Sequence, residues 1–132
     1  MKAITLWQPW ASLVVYGYKT VEYRTHDRFR HLVGSRVAIH AGQDVDPNLS
    51  KIRDRYPHVN WVLLLMPRGV VMGTAVVVSV EPAQAVAQGG KPLFAYKLKN
   101  VERYKAFYSA KGRQGVWGWF PPEGAAVVQV AP

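Results

Sequence analysis

Four polar residues near the start of the chain stand close enough to share chemistry: Lys19, Thr20, Glu22 and Arg24. From Thr20 to Thr25 the pattern alternates, with Val21 and Tyr23 pointing one way and Glu22 and Arg24 the other. That predicts a strand with one charged face, shared by Thr20, Glu22 and Arg24, with Lys19 at its entry. A lysine held near a carboxylate and partly desolvated is pulled two ways. Burial lowers its pKa and makes a base or nucleophile, whereas the carboxylate raises it and makes a fixed cation. Hydrolysis of an amide needs a base to activate water and a donor to stabilise the oxyanion. Lys19 with Glu22 could supply the first, Thr20 or Arg24 the second. The same residues would equally make a surface salt-bridge ladder, which is worth little.

Aromatic residues form a second constellation. Trp7 and Trp10 flank Gln8-Pro9, and Trp117 and Trp119 alternate through Gly118, on one strand face. Single-stranded bases stack on such rings for roughly 1–3 kcal/mol each, while Lys and Arg follow the phosphates. Core packing is the commoner fate of a tryptophan. We assign Trp10 and Trp117 mainly to the core, and Trp7 and Trp119 to a pocket wall. The third constellation is basic: Lys97, Lys99, Arg103, Lys105, Lys111 and Arg113 accompany one acid, Glu102, and Arg24, Arg28, Arg30 and Arg36 cluster earlier. If both clusters border the Lys19 pocket they form a groove for a phosphate backbone, and binding weakens steeply with salt. His40 ends an apolar strand, where a hydrogen-bonded core histidine is commoner than a ligand. His26, His31 and His58 have no metal-site spacing, and no metalloprotease, phosphate-loop or nucleophile-elbow motif occurs. No tightly bound metal and no cofactor are expected.

Seventeen Lys and Arg against eight Asp and Glu give a formal charge of +9 over 132 residues. That excess favours a polyanion, most simply a nucleic acid. A chain with 49% hydrophobic and 19% charged residues is neither disordered nor a membrane protein. The absence of Cys removes disulfides, thiolate zinc sites and a cysteine nucleophile. No secretory signal is recognisable, and the longest apolar stretch, Trp61 to Met66, is too short to span a bilayer. One domain over residues 1–132, in the cytoplasm, is the expectation.

The elements that must position these residues follow from pattern. Ala3 to Leu6 predicts a strand. Pro9 to Tyr16 predicts a helix carrying Trp10, Leu13, Val14 and Tyr16, stopped by Gly17. Arg36 to Ala41 predicts a strand, and Asp44 to Tyr56 a helix capped by Asp44 or Asp46. Trp61 to Met66 is compatible with strand or helix. Gly69 to Val80 predicts a long buried strand that bends at Gly73 and ends at Glu81-Pro82. Ala83 to Pro92 reads as a loop or broken helix, Phe94 to Val101 as a strand and Tyr104 to Gly115 as irregular. Val116 to Phe120 and Ala126 to Val130 complete the strands. Strands outnumber helices, so a small barrel or curled sheet with two or three outer helices is expected.

Gln8-Pro9-Trp10-Ala11-Ser12-Leu13, followed by Gly17-Tyr18-Lys19-Thr20-Val21-Glu22-Tyr23-Arg24, resembles the ASCH family, named after the homology domain of activating signal cointegrator. Val37 to Ala41 and Lys111 to Trp117 resemble it too, so the similarity covers nearly the whole chain in order. It implies an α+β fold, a small PUA-like mixed β-barrel with flanking helices, and a role in RNA or nucleotide biology. Some relatives are RNA-binding modules, some ribonucleases and some amidohydrolases acting on N4-acylated cytidine. In the amidohydrolases a lysine at the Lys19 position works with a threonine three residues on and a later glutamate. This chain has Glu22 at the threonine position, and Glu81 and Glu102 as later acids. Three functions follow for test: a module binding single-stranded RNA or a modified nucleoside (DNA being a further nucleic-acid partner) around Lys19 and Glu22; an N4-acylcytidine amidohydrolase or ribonuclease in that cleft; and a protein-interaction domain. The expected catalytic set is Lys19, Thr20 and Glu22. The expected ligand contacts are Trp7, Gln8, Pro9, Trp10, Arg24, His40, Lys111, Arg113, Trp117 and Trp119.

Overall fold

The computed structural model describes residues 1–87 and 89–130. Seven strands make one mixed sheet: β1 (Lys2–Gln8), β2 (Val21–Arg24), β3 (Arg36–Val45), β4 (Val70–Val86), β5 (Pro92–Ser109), β6 (Val116–Gly118) and β7 (Val127–Gln129). Their order is β2-β5-β4-β3-β1-β6, with β7 also on β5. β1 runs parallel to β3, and the other pairings are antiparallel. Two helices, α1 (Trp10–Val15) and α2 (Leu49–Arg55), flank the sheet. The sheet curls into a half-barrel of α+β type, as the sequence predicts. Among the described residues no helix is long and apolar enough to cross a membrane.

The curl has a local cause. Along β4 and β5 the register shifts four times, the first between Val71 and Gly73. Each shift adds twist to a strand pair. Gly73 allows the closest approach, since a Cβ there would collide with the Glu102 carbonyl. Inside the curl, Leu6, Val37, Ile39, Met72 and Val77 meet Val14 and Val15 of α1. Fully burying one such side chain contributes roughly 1.5–3 kcal/mol. A smaller cluster of Leu13, Ile52, Val59 and Leu64 joins α2 to α1.

Several boundaries depart from the sequence reading. β3 runs on to Val45 because Gln8 of β1 pairs with Val45, so Asp44 lies in a strand and α2 starts only at Leu49. Asp46 instead accepts hydrogen bonds from the Asn48 backbone N–H and from Trp10 Nε1. Pro82 does not end β4. It pairs with Phe94 just before a register shift, a place where a missing N–H is tolerated. The loop expected over Ala83 to Pro92 shrinks to a turn at Gly89 and Gly90, both with positive φ, and its Gln88 lies outside the described residues. Tyr104 to Ser109 is strand, not irregular, because β4 flanks this stretch and β7 pairs with its first residue. Trp61 to Met66 is neither strand nor helix, but a turn and extended chain with Leu64 buried and Val62 and Leu63 exposed.

Candidate functional site

The end of α1 aims Lys19. Gly17 takes the left-handed conformation at φ 84°, its N–H donates to the Val14 carbonyl, and the Tyr18 N–H reaches back to Leu13. This pair of bonds closes a helix terminus in the way glycine permits. The Lys19 N–H also donates to Leu13, at 3.0 Å, so its backbone is fixed before the side chain departs. Lys19 Nζ donates to the Val21 carbonyl and lies 3.8 Å from Glu22 Oε1. It stands 5.2 Å from the Trp10 ring centre and 5.0 Å from that of Tyr23. Only 9% of Lys19 is exposed. Burial pulls its pKa below the ordinary lysine value; Glu22 pulls it part of the way back, and Arg55 and Arg24 push it down again.

Glu22 is held from both sides. Its other oxygen lies 3.2 Å from Arg24 Nε, and the Glu22 side chain is 12% exposed. That approach is off the line of the N–H, so among the described residues the buried Nε has no hydrogen-bond acceptor. Arg24 Nη2 donates to the Thr5 carbonyl at 3.0 Å. The charged side of β2 is therefore turned inward, while Tyr23 is half exposed. Thr20 does not join it: β2 begins at Val21, and Thr20, its carbonyl taken by the Leu98 N–H, lines a third cleft of about 400 Å³ with Lys97, Lys99 and Lys19 itself.

Two larger clefts meet at this strip. One, of about 600 Å³, is walled by Trp10, Lys19, Glu22, Tyr23, Arg55 and Tyr56. The other, of about 560 Å³, has Trp7, Arg24, Lys111 and Arg113 around a floor of Thr5, His40 and Gly112. His40 is buried, and both ring nitrogens are engaged. Nε2 donates to the Ala110 carbonyl at 2.7 Å, so in the neutral ring Nδ1 accepts from the Thr5 hydroxyl at 3.2 Å. Trp117 Nε1 donates to the same hydroxyl oxygen at 3.1 Å. Burial lowers the His40 pKa against the opposing pull of the Ala110 carbonyl, which favours the neutral ring.

The other expected residues fall elsewhere. Gln8 is buried beside α1, donating to the Pro67 carbonyl and accepting from the Ser12 N–H, and neither it nor Pro9 lines either large cleft. Trp117 packs edge-on against His40. Trp119, expected at a pocket wall, packs with Tyr104 and Tyr108 instead. The basic clusters do not make one groove: Arg103 stacks on Tyr16, Arg36 pairs with Glu102 and Arg30 with Asp27. Neither Glu81 nor Glu102 lines the Lys19 cleft. Among the described residues no group of three or more potential ligands is placed to hold a metal ion.

The model of the ASCH domain matches residues 4–129. The chain belongs to the ASCH domain family. Its fold is similar to the crystal structure of ASCH from Zymomonas mobilis, with 16% identity, a TM-score of 0.57 and coverage of 98% of this chain and 97% of that one. A serine-to-alanine mutant of that protein matches at 17% identity and TM-score 0.55, covering 92% of this chain and 89% of its own. No curated protein matches the chain. At these identities the likeness speaks for the PUA-like fold, and ASCH domains as a family are generally RNA-binding.

Sequence reasoning missed Arg55, Tyr56 and Thr5 in this ASCH domain. Arg55 and Tyr56 reach the Lys19 cleft from the end of α2, and a helical pattern in the sequence does not tell which cleft the helix end borders. Gly112 did leave a signal, a glycine between two cations. A Cβ there would stand 2.5 Å from His40 Cε1 and 2.9 Å from Thr5 Oγ1, so the loop sits flush on the floor only as glycine.

Proposed function

We propose that this ASCH domain binds single-stranded RNA or a modified nucleoside in the cleft around Lys19 and Glu22. One observation carries this reading: the ion-paired Lys19 and Glu22, with Arg24 behind them, border a cleft whose walls include Trp10, Tyr23 and Tyr56. Aromatic faces accept a base by stacking, and a fixed carboxylate beside fixed cations supplies both hydrogen-bond senses for its edge or for a sugar. The volume suits a ligand of nucleoside size. Titration of single-stranded RNA and of nucleosides at two salt concentrations tests it. RNA affinity should fall as salt rises, and Lys19→Ala should weaken binding of both by about tenfold or more. Absent binding, or RNA binding indifferent to salt, overturns the proposal.

One observation keeps a hydrolytic reading beside it. Lys19 is nearly buried, its pKa is held down by that burial, and a carboxylate adjoins it. Such a pair can take a proton from water, and Arg24, ion-paired with Glu22, is the donor assigned to an oxyanion. Thr20 lines a different cleft from Glu22, one that it shares with Lys19. Incubation with N4-acetylcytidine and with single-stranded RNA, followed by chromatography, decides between binding and turnover. Lys19→Ala must abolish any turnover found.

A further inference from the structure

The His40 cleft is not used by the reading just given, yet it opens into the same groove. A neck of about 180 Å³ joins the two spaces. Thr5, Trp7 and Arg24 line both the neck and the His40 cleft, and Trp10, Glu22 and Tyr23 line both the neck and the Lys19 cleft. The two ends differ in chemistry. Around Lys19 the inner charges, Lys19, Glu22 and Arg24, are locked into ion pairs beside the aromatic walls Trp10, Tyr23 and Tyr56, and the exposed Arg55 is the one further cation lining that cleft. Around His40 the floor is neutral and its ring is saturated with hydrogen bonds, while Lys111 and Arg113 are exposed on the rim with no acidic partner among the described residues. Asp44 is the one acid lining that cleft. The backbone N–H groups of Lys111, Gly112, Arg113 and Gln114 have no acceptor among the described residues. Trp7, 49% exposed, stands between the two ends.

We infer that the His40 cleft is a second nucleotide position, and that the unit recognised is at least a dinucleotide. The linking phosphate lies at the neck beside Arg24, and the second nucleotide lies on Trp7 under the Lys111–Arg113 rim. This rests on the proposed nucleoside position at Lys19 and extends it. Uncommitted cations and free loop amides suit an anion. An exposed tryptophan offers a stacking face independent of sequence. Arg24 is the one cation that lines both the neck and the His40 cleft, and its Nε–H still lacks an acceptor in line. Two linked positions then gain from effective concentration without further contacts.

The experiment compares four ligands by calorimetry: a nucleoside, its monophosphate, the dinucleotide, and the dinucleotide with an uncharged methylphosphonate link. The dinucleotide should bind about tenfold or more tighter than the monophosphate, and the uncharged link should forfeit most of that gain. In a Lys111→Ala/Arg113→Ala double variant the ratio of dinucleotide to monophosphate affinity should fall toward one. A dinucleotide no tighter than the monophosphate, or indifferent to the charge of its link, overturns the second position while leaving the Lys19 reading in place. If none of the four binds, both fall.

Discussion

The two ends of the groove solve the same electrostatic problem in opposite ways. At Lys19 the charges of Lys19 and Arg24 are turned inside and paired with Glu22, with Trp10 and Tyr23 over the lysine, and only Arg55 at the end of α2 stays exposed. At His40 the inside is neutral, and the charge is left on an exposed rim. Buried charge is costly to desolvate, but it is fixed in direction. Rim charge costs little, turns freely and is screened by salt. On the proposed reading, the first arrangement serves to discriminate between ligands and the second to gather polyanions. Substitutions that unsettle one end should therefore leave different signatures at the other.

The largest effect on stability should come from the neutral floor. His40→Ala leaves the Ala110 carbonyl without a partner, removes one of the hydrogen bonds of the Thr5 hydroxyl and opens a cavity beside Trp117. We expect a loss of about 2–4 kcal/mol, read by urea denaturation. A loss under about 1 kcal/mol would mean the ring is not a structural keystone. Gly112→Ala comes next. Its Cβ would stand 2.7 Å from His40 Nδ1, and the ring, packed against Trp117, has little room to yield. Overpacking of this kind costs roughly 1–3 kcal/mol. Proton chemical shifts of His40 should move with it, and an unperturbed ring would place the loop farther away.

This contrast also explains what could be read from residue order. Short-range chemistry was legible: Gly17 ends α1, Gly73 bends β4, and Val21 to Arg24 forms a strand. The proximity of Lys19, Glu22 and Arg24 was legible too, because two to five residues of extended chain set it. Which way that face points was not. An alternating strand has two faces, and the apolar-looking one, with Tyr23, is the one left outside here. The floor was hidden for a different reason. Thr5, His40, Ala110 and Trp117 come from β1, β3 and β6 and from the chain between β5 and β6, and only the parallel pairing of β1 with β3 sets Thr5 against His40. Trp117 in β6 and Trp119 just beyond it both pack against the cluster that holds Tyr104 and Ala3.

Burial of Lys19 gives a smaller effect with a definite sign. Its folded pKa is lowered, so below that value both folded and unfolded chains hold the proton, and the folded state carries the full cost of desolvation. Between the lowered pKa and the ordinary lysine value the unfolded chain binds more protons, and stability rises with pH. Lys19→Met removes this contribution. The variant should be most favoured relative to wild type near neutral pH and lose that relative advantage as pH climbs. Parallel denaturation of both proteins from neutral to alkaline pH tests this; a constant difference would contradict a desolvated lysine.

The smallest effect on stability belongs to the rim. Lys111 and Arg113 are exposed, so Lys111→Ala and Arg113→Ala should each change stability by less than about 0.5 kcal/mol. Their signature lies in salt dependence. For single strands the slope of log affinity against log salt falls by about 0.7 for each phosphate contact removed. Each rim variant should flatten the slope by about that amount. Lys19→Met, whose charge is already paired with Glu22, should lower affinity with less change of slope. If the rim variants leave the slope untouched while Lys19→Met flattens it, the roles of the two ends are reversed, and phosphate is held by the buried cation.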